Sequence, residues 1–456
     1  MRLLLLVAAI LLACFGALWF LGGPTTLEWE TRPAVAGPNT RLSVNVRSSY
    51  GISQVRAFLD QGRTRCDLYD RSTGISRLTF WRRKESREKM VIPTAAASCP
   101  ALADGPARLT VQVWSADLRN RSDEISEQVR VARAPASIHT SPEPHYTVHT
   151  GPSAAKYHVA GDWVEAGVQV GKYRFRPYAP GRAVVPGQEM DLVSFFTIPW
   201  DVDPEEPVQV YVIASDGRRL TANLRMVIER REFRQREIKL TRKFLRQVVD
   251  DILGGSDRSD AVVNFKRINS EVRPLNNRKL IELAGKSESK VLWSGSFTQL
   301  PKSQVQGQFA DTRIYTFEGA KVDQQPHLGV DLASTRNAEV PVANSGKVLL
   351  AERLGIYGNC LFVDHGLGVQ TLYAHLSRID VKPGDSVTKG QVIGLTGMTG
   401  LAGGDHLHFG MLIDGVETSP VRMFERNWIA KNIRPVVPVP GLEKPANEPE
   451  KRRRRR

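Results

Sequence analysis

The stretch GGDHLHFG, residues 403–410, places two of the chain's nine histidines one residue apart, within 456 residues. In a β-strand successive side chains point to opposite faces, so residues two apart share a face. His406 and His408 then project together, and Leu407 and Phe409 project the other way into a core. A strand with an apolar face and a two-imidazole face predicts a β domain built around a polar site.

Working outward, five of the nine histidines fall between residues 327 and 408, in a region of short apolar strands. HLGVD supplies His327 and Asp331, LYAHLS supplies His375, and VDHG supplies His365. A catalytic zinc takes three protein ligands from imidazole and carboxylate and keeps a fourth position open. His327, Asp331 and one histidine of the HLH pair make such a set. Two imidazoles then remain near it without being ligands. Hydrolysis at a zinc-bound water needs a general base and a donor for the developing oxyanion, and histidine does either near neutral pH. His365, between Asp364 and a Gly-rich turn, reads as structural. Each motif is weak alone, and their order along the chain carries the specificity.

Taken together, HLGVDLAS, VANSGKVL, IYGNCLFVDHGLGVQTLYAHLS, VKPGDSVTKGQVIGLTGMTG and GDHLHFGM, spread over residues 320–425, resemble the lysostaphin-type (LytM-like) zinc metallopeptidases, which cut peptide bridges in peptidoglycan. The resemblance implies a compact antiparallel β domain with a groove over one zinc ion per chain. It implies His327, Asp331 and His408 as zinc ligands and His375 and His406 as the catalytic pair beside the metal. The implied activity is endopeptidase hydrolysis of peptidoglycan cross-links. Asp405 departs from the small or proline residue common before the HLH pair, and puts a carboxylate near the site. A non-catalytic cell-wall scaffold that activates another hydrolase is the competing reading, and the full residue set argues against it. VKPGDSVTKGQVIG resembles half of a lipoyl carrier domain, but reads more simply as a strand–turn–strand unit.

Beyond this region the chain is expected to be mainly β. Residues 25–134 and 140–230 show short alternating runs such as TRLSVNVRSS and VQVYVIASDG, as expected of two β-sandwich (Ig-like) domains. Residues 231–292 read as a helical connector, with one helix ending at the double glycine 254–255 and a second interrupted by Pro274. The metallopeptidase domain is expected over 293–435, and a disordered basic tail over 436–456. His139, His145, His149 and His158 are scattered and read as surface or loop residues.

The first 23 residues carry Arg2 and then an apolar run over 3–22. A helix of that length spans roughly 30 Å, the thickness of a bilayer core. An uncleaved signal anchor is favoured over a cleaved signal, and over lipidation at Cys14. All three export the chain, so the expected location is a single-pass membrane protein with its globular part periplasmic or extracytoplasmic. Cys66 and Cys99 are either a disulfide, worth roughly 3–4 kcal/mol by loop entropy, or two free thiols.

Net charge is +15. Residues 301–435 hold thirteen Lys/Arg and thirteen Asp/Glu, so the excess lies elsewhere. No nucleic-acid motif accompanies it. The expected partners are peptidoglycan, the inner membrane through the anchor, and a cell-wall or division protein through the N-terminal domains. The run KRRRRR at 451–456 is expected to hold an anionic polymer by charge alone.

Overall fold

The computed structural model describes residues 25–74, 86–94, 99–254 and 260–442, together with Gly16. The remainder of the expected anchor and the arginine run lie outside the described residues. Among the described residues no helix is long and apolar enough to cross a membrane. Among the described residues strands account for 48% and helices for 13%, which makes the fold mainly β.

Residues 25–131 form a five-stranded and a three-stranded sheet. Val44, Val46 and Ile92 from the smaller sheet meet Val55, Leu59, Val111 and Val113 from the larger in one separate core. Cys66 and Cys99, 33 positions apart, are disulfide-bonded. Residues 137–229 form a three-stranded and a four-stranded sheet, with a parallel pair, His145–Val148 and Met226–Glu229, beside them.

This second unit has no core of its own. Its Phe195, Phe196 and Val210 belong to a cluster that continues through Trp293, Leu361 and Phe409 of the C-terminal region. Polar contacts reinforce the junction. Asp414 accepts the Arg176 backbone N–H at 2.7 Å, an Arg176 guanidinium N–H at 2.7 Å and the Tyr178 hydroxyl at 2.6 Å.

The connector differs from its sequence reading at both ends. It opens with a strand, Gln235–Lys239, paired parallel to Thr312–Phe317. The first helix starts only at Arg242, because Thr241 caps it by accepting the Phe244 N–H at 3.1 Å. Gly254, at φ 80°, closes it. Pro274 does not interrupt the second helical stretch. It lies in the first turn of Arg273–Ala284, which follows a π-helical turn, Ile268–Val272. The first turn of a helix is where a missing N–H matters least.

The C-terminal region is built on an antiparallel sheet in the order Gln304–Gly307, Val330–Ala333, Leu407–Ile413, Val369–Leu376, Asn359–Asp364, Gly346–Arg353, Ser386–Val387. Alternation along Leu407–Ile413 decides what each face meets. Leu407, Phe409, Met411 and Ile413 enter the core shared with the second unit. Leu412 lies with Leu350, Phe362 and Leu372 under helical residues Val248, Val249, Ile268 and Leu280. The connector helices thus cover the face from which His408 projects.

The tail boundary at 436 also shifts. Val437, Val439 and Leu442 are buried in the main core, because valines alternate with prolines and reach inward. Only residues 443–456 of the expected tail lie outside the described residues.

Candidate active site and metal centre

Strand register assembles the site. Asp331 lies directly opposite His408 across one antiparallel pair, and Ala374 lies opposite His408 across the next. Directly opposed residues share a face, so the carboxylate and the imidazole meet without a bend in either strand. His327 comes from the turn before the Asp331 strand. Its Nε2 is 2.9 Å from Asp331 Oδ1 and 3.1 Å from His408 Nδ1, and His408 Nδ1 is 3.0 Å from the same Oδ1.

Three donor atoms that close together suit a metal ion. In a tetrahedral zinc site with bonds of about 2.0–2.1 Å the ligand atoms sit about 3.3 Å apart. The small triangle here needs only slight expansion to hold such an ion. Two nitrogens and one carboxylate oxygen are also the donor types that zinc takes at catalytic sites.

The remaining ring atoms are fixed by backbone carbonyls. His327 Nδ1–H donates to Gln308 O at 2.8 Å, which leaves Nε2 as the ligating nitrogen. His375 Nδ1–H donates to Thr399 O at 2.8 Å, which leaves its Nε2 as an acceptor. His406 Nδ1–H donates to Gly404 O at 2.8 Å, and its Nε2 lies 3.5 Å from Asp331 Oδ1. The His375 ring is 4.9 Å from that of His406 and 5.7 Å from that of His408. All five residues singled out in the sequence therefore lie in one cluster.

His375 adopts φ +65°, a conformation that a residue with a Cβ rarely takes. Its neighbours impose it. The Leu376 carbonyl accepts Asn359 Nδ2–H at 3.1 Å and the Thr399 hydroxyl at 2.9 Å, while Ser377 N–H donates to Leu395 O at 3.0 Å.

Burial sets the electrostatics. Burial alone would raise the Asp331 carboxyl, but the charge and hydrogen bonding of His327, with hydrogen bonds from His406 and His408, hold it well below the usual range. Burial, with His406 and His408 nearby, holds His375 well below the usual imidazole value. Burial pushes His408 down to about 4. Both rings are neutral at physiological pH.

The sequence reading missed Arg313, whose guanidinium pairs with Asp331 Oδ2 and leaves Oδ1 for the histidines. It sits in DTRIYTF, on a strand that carries none of the recognised motifs. Asp405 accepts from the Thr396 hydroxyl at 2.6 Å and the Asn337 N–H at 3.1 Å. It ties loops together through these two hydrogen bonds. His365 is fully buried between Ser345 O and the Thr371 hydroxyl, each at 2.7 Å.

Space around the cluster is uneven. A cavity of about 60 Å³ lies between His327, His375, His408 and the helical residues Arg273 and Asn277. A groove of about 470 Å³ opens on the other side, past His406, Asp331 and Arg313, with Phe244 and Arg236 on its far wall. Gly329 packs flat against the site: a Cβ there would lie 2.5 Å from His408 Nε2 and 2.9 Å from Phe409 O. Gly329→Ala is expected to destabilise the protein by about 1–3 kcal/mol and to displace the His408 ring. A thermal melt together with zinc content checks this, and a variant with normal values for both contradicts it.

Residues 325–420 match Peptidase family M23. The chain carries an M23 peptidase domain. The DD-carboxypeptidase/endopeptidase Mpg of Neisseria meningitidis serogroup B is 40% identical over 95 residues, covering 21% of this chain and 22% of the relative. The peptidoglycan DD-endopeptidase ShyA of Vibrio cholerae is 37% identical over 102 residues, covering 22% of this chain and 23% of the relative. The catalytic domain of lysostaphin from Staphylococcus simulans aligns at 27% identity and a TM-score of 0.23, over 27% of this chain and 94% of that domain. The chain thus matches less than a quarter of the length of these two curated relatives. The M23 match contains His327, Asp331, His375, His406 and His408, and excludes Gln308, Asp311 and Arg313.

Proposed function

We propose that this chain is a zinc-dependent endopeptidase that hydrolyses peptide cross-links of bacterial peptidoglycan, with one zinc ion held by His327, Asp331 and His408. The observation that carries the reading is the convergence of those three donor atoms within 3.1 Å, with two further imidazoles beside them. The M23 match and the peptidoglycan endopeptidases among its relatives support the substrate class.

A bound zinc supplies a Lewis acid for the scissile carbonyl and lowers the pKa of a coordinated water to about 7. The protein's own groups then divide the work. His375, neutral and with Nε2 free to accept, takes the proton from the attacking water and returns it to the leaving amine nitrogen as the C–N bond breaks. His406 donates to the carbonyl oxygen as negative charge develops there. Arg313 holds Asp331 by Oδ2 and so presents Oδ1 to the metal. The groove past His406, the roomier of the two spaces beside the cluster, admits the peptide.

The same reading places the protein outside the cytoplasm, anchored in the inner membrane by residues 3–22, with the N-terminal units available to a cell-wall or division partner. The test is mass spectrometry of muropeptides after incubating purified sacculi with the full chain. Cross-linked dimers should fall and monomers rise, a chelator should stop this, and added zinc should restore it. Sacculi whose cross-linking is unchanged by the zinc-loaded protein would refute the reading.

A further inference from the structure

His327 is oriented by a chain of contacts that begins outside the M23 match. Its Nδ1–H donates to Gln308 O, and its backbone N–H donates to Asp311 O at 2.9 Å. The turn carrying both carbonyls is held by the Asp311 carboxylate, which accepts the Gln308 N–H at 3.0 Å. Asp311 is only 2% exposed. A buried carboxylate is stable only when its charge is matched. Arg234 supplies that charge, with Nε 3.1 Å from Oδ1 and Nη2 2.9 Å from Oδ2. The Arg234 carbonyl also accepts the Thr312 N–H at 2.8 Å. Arg236, at 4.0 Å from Asp311, stands in reserve.

We propose that Arg234, acting through Asp311 and Gln308, is a positioning residue for the metal-ligating imidazole of His327. The connector strand is therefore part of the metal centre's support as well as a spacer. Without the arginine, the Asp311 carboxylate loses its two-point partner, and the turn that fixes the Gln308 carbonyl loses its anchor. His327 Nδ1–H then lacks its acceptor, and neither the tautomer nor the ring angle that points Nε2 at the metal is enforced. Loss of such an outer partner weakens metal binding typically by about 10–100-fold. The inference rests on the ligand role proposed for His327.

The test is a zinc dissociation constant, by competition with a chromophoric chelator, for the full-length wild type, R234K, R234Q, R234Q/R236Q and H327A. Both arginines are about half exposed, at 53% and 43%, so the substitutions open no cavity in the core. R234Q/R236Q should bind zinc about 10–100-fold more weakly, R234Q should fall between it and wild type, and R234K should recover most of the loss. In the metal-free protein, nitrogen NMR of labelled histidine should show the Nδ1–H tautomer of His327 in the wild type and mixed tautomers in the double variant. Zinc affinity within about twofold of wild type in the double variant, with an unchanged tautomer, would overturn the proposal. A wild type that binds no zinc, or an H327A that binds it normally, would instead refute the ligand assignment.

Discussion

His327→Ala and His408→Ala are expected to purify without zinc and without measurable endopeptidase activity. Each substitution removes one of only three protein donors, and the two left do not hold a catalytic zinc against competing chelators. The loss is larger than that expected at His375 or His406, because the metal supplies the nucleophile's low pKa as well as the Lewis acid. Folding should survive. Asp331 keeps its Arg313 partner, and the deleted rings leave space beside the small cavity that both rings line rather than in the main core. Metal analysis, circular dichroism and muropeptide release on the same preparations check the three statements together. Wild-type zinc content in either folded variant would remove that histidine from the ligand set.

His375→Ala and His406→Ala should behave differently, retaining zinc while losing rate. A missing general base costs typically about 10²–10⁴ in turnover, and a missing oxyanion donor about 10²–10³. The pH profile adds a signature. A base works in its neutral form, so the rate is present above its pKa and is lost as the pH falls through it. Because burial and two neighbouring imidazoles hold His375 well below 6.5, the acid limb should lie below that value. Zinc lost from His406→Ala but kept in His408→Ala would exchange the two roles. Full activity in His375→Ala would remove it from the mechanism.

Residue type made much of the cluster legible in the sequence. Imidazole and carboxylate side chains are rare in β interiors unless they hold something, and the spacing of two in HLH states which face they share. What the sequence could not state was what that face meets. The opposition of Asp331 and His408, and the cover of connector helices over them, come from pairing between distant strands. Arg313, Gln308 and Asp311 escaped notice for the same reason: Gln308 acts through a backbone carbonyl that carries no side-chain signature, and the other two act through partners far along the chain. A helix beginning before Arg242 fits the sequence because Ile238 suits a helical spacing as well as the strand it forms, and only the Thr241 cap separates the two. The tail was read as unstructured from its prolines and charges, yet Val437, Val439 and Leu442 carry enough apolar surface to stay packed.

The shared core between residues 137–229 and the C-terminal region limits where this molecule can be divided. A cut before Trp293 would remove the helices that pack on Leu350, Phe362, Leu372 and Leu412, and would leave the Asp414 carboxylate without Arg176 and Tyr178. The fragment would expose an apolar patch that would make it prone to aggregate. In calorimetry, the peptidase and the unit before it should melt in one transition, with the separately cored residues 25–131 free to melt in another. In evolution, too, these two parts would have to change together: a substitution on either side of the seam alters the stability of the half that carries the histidine cluster.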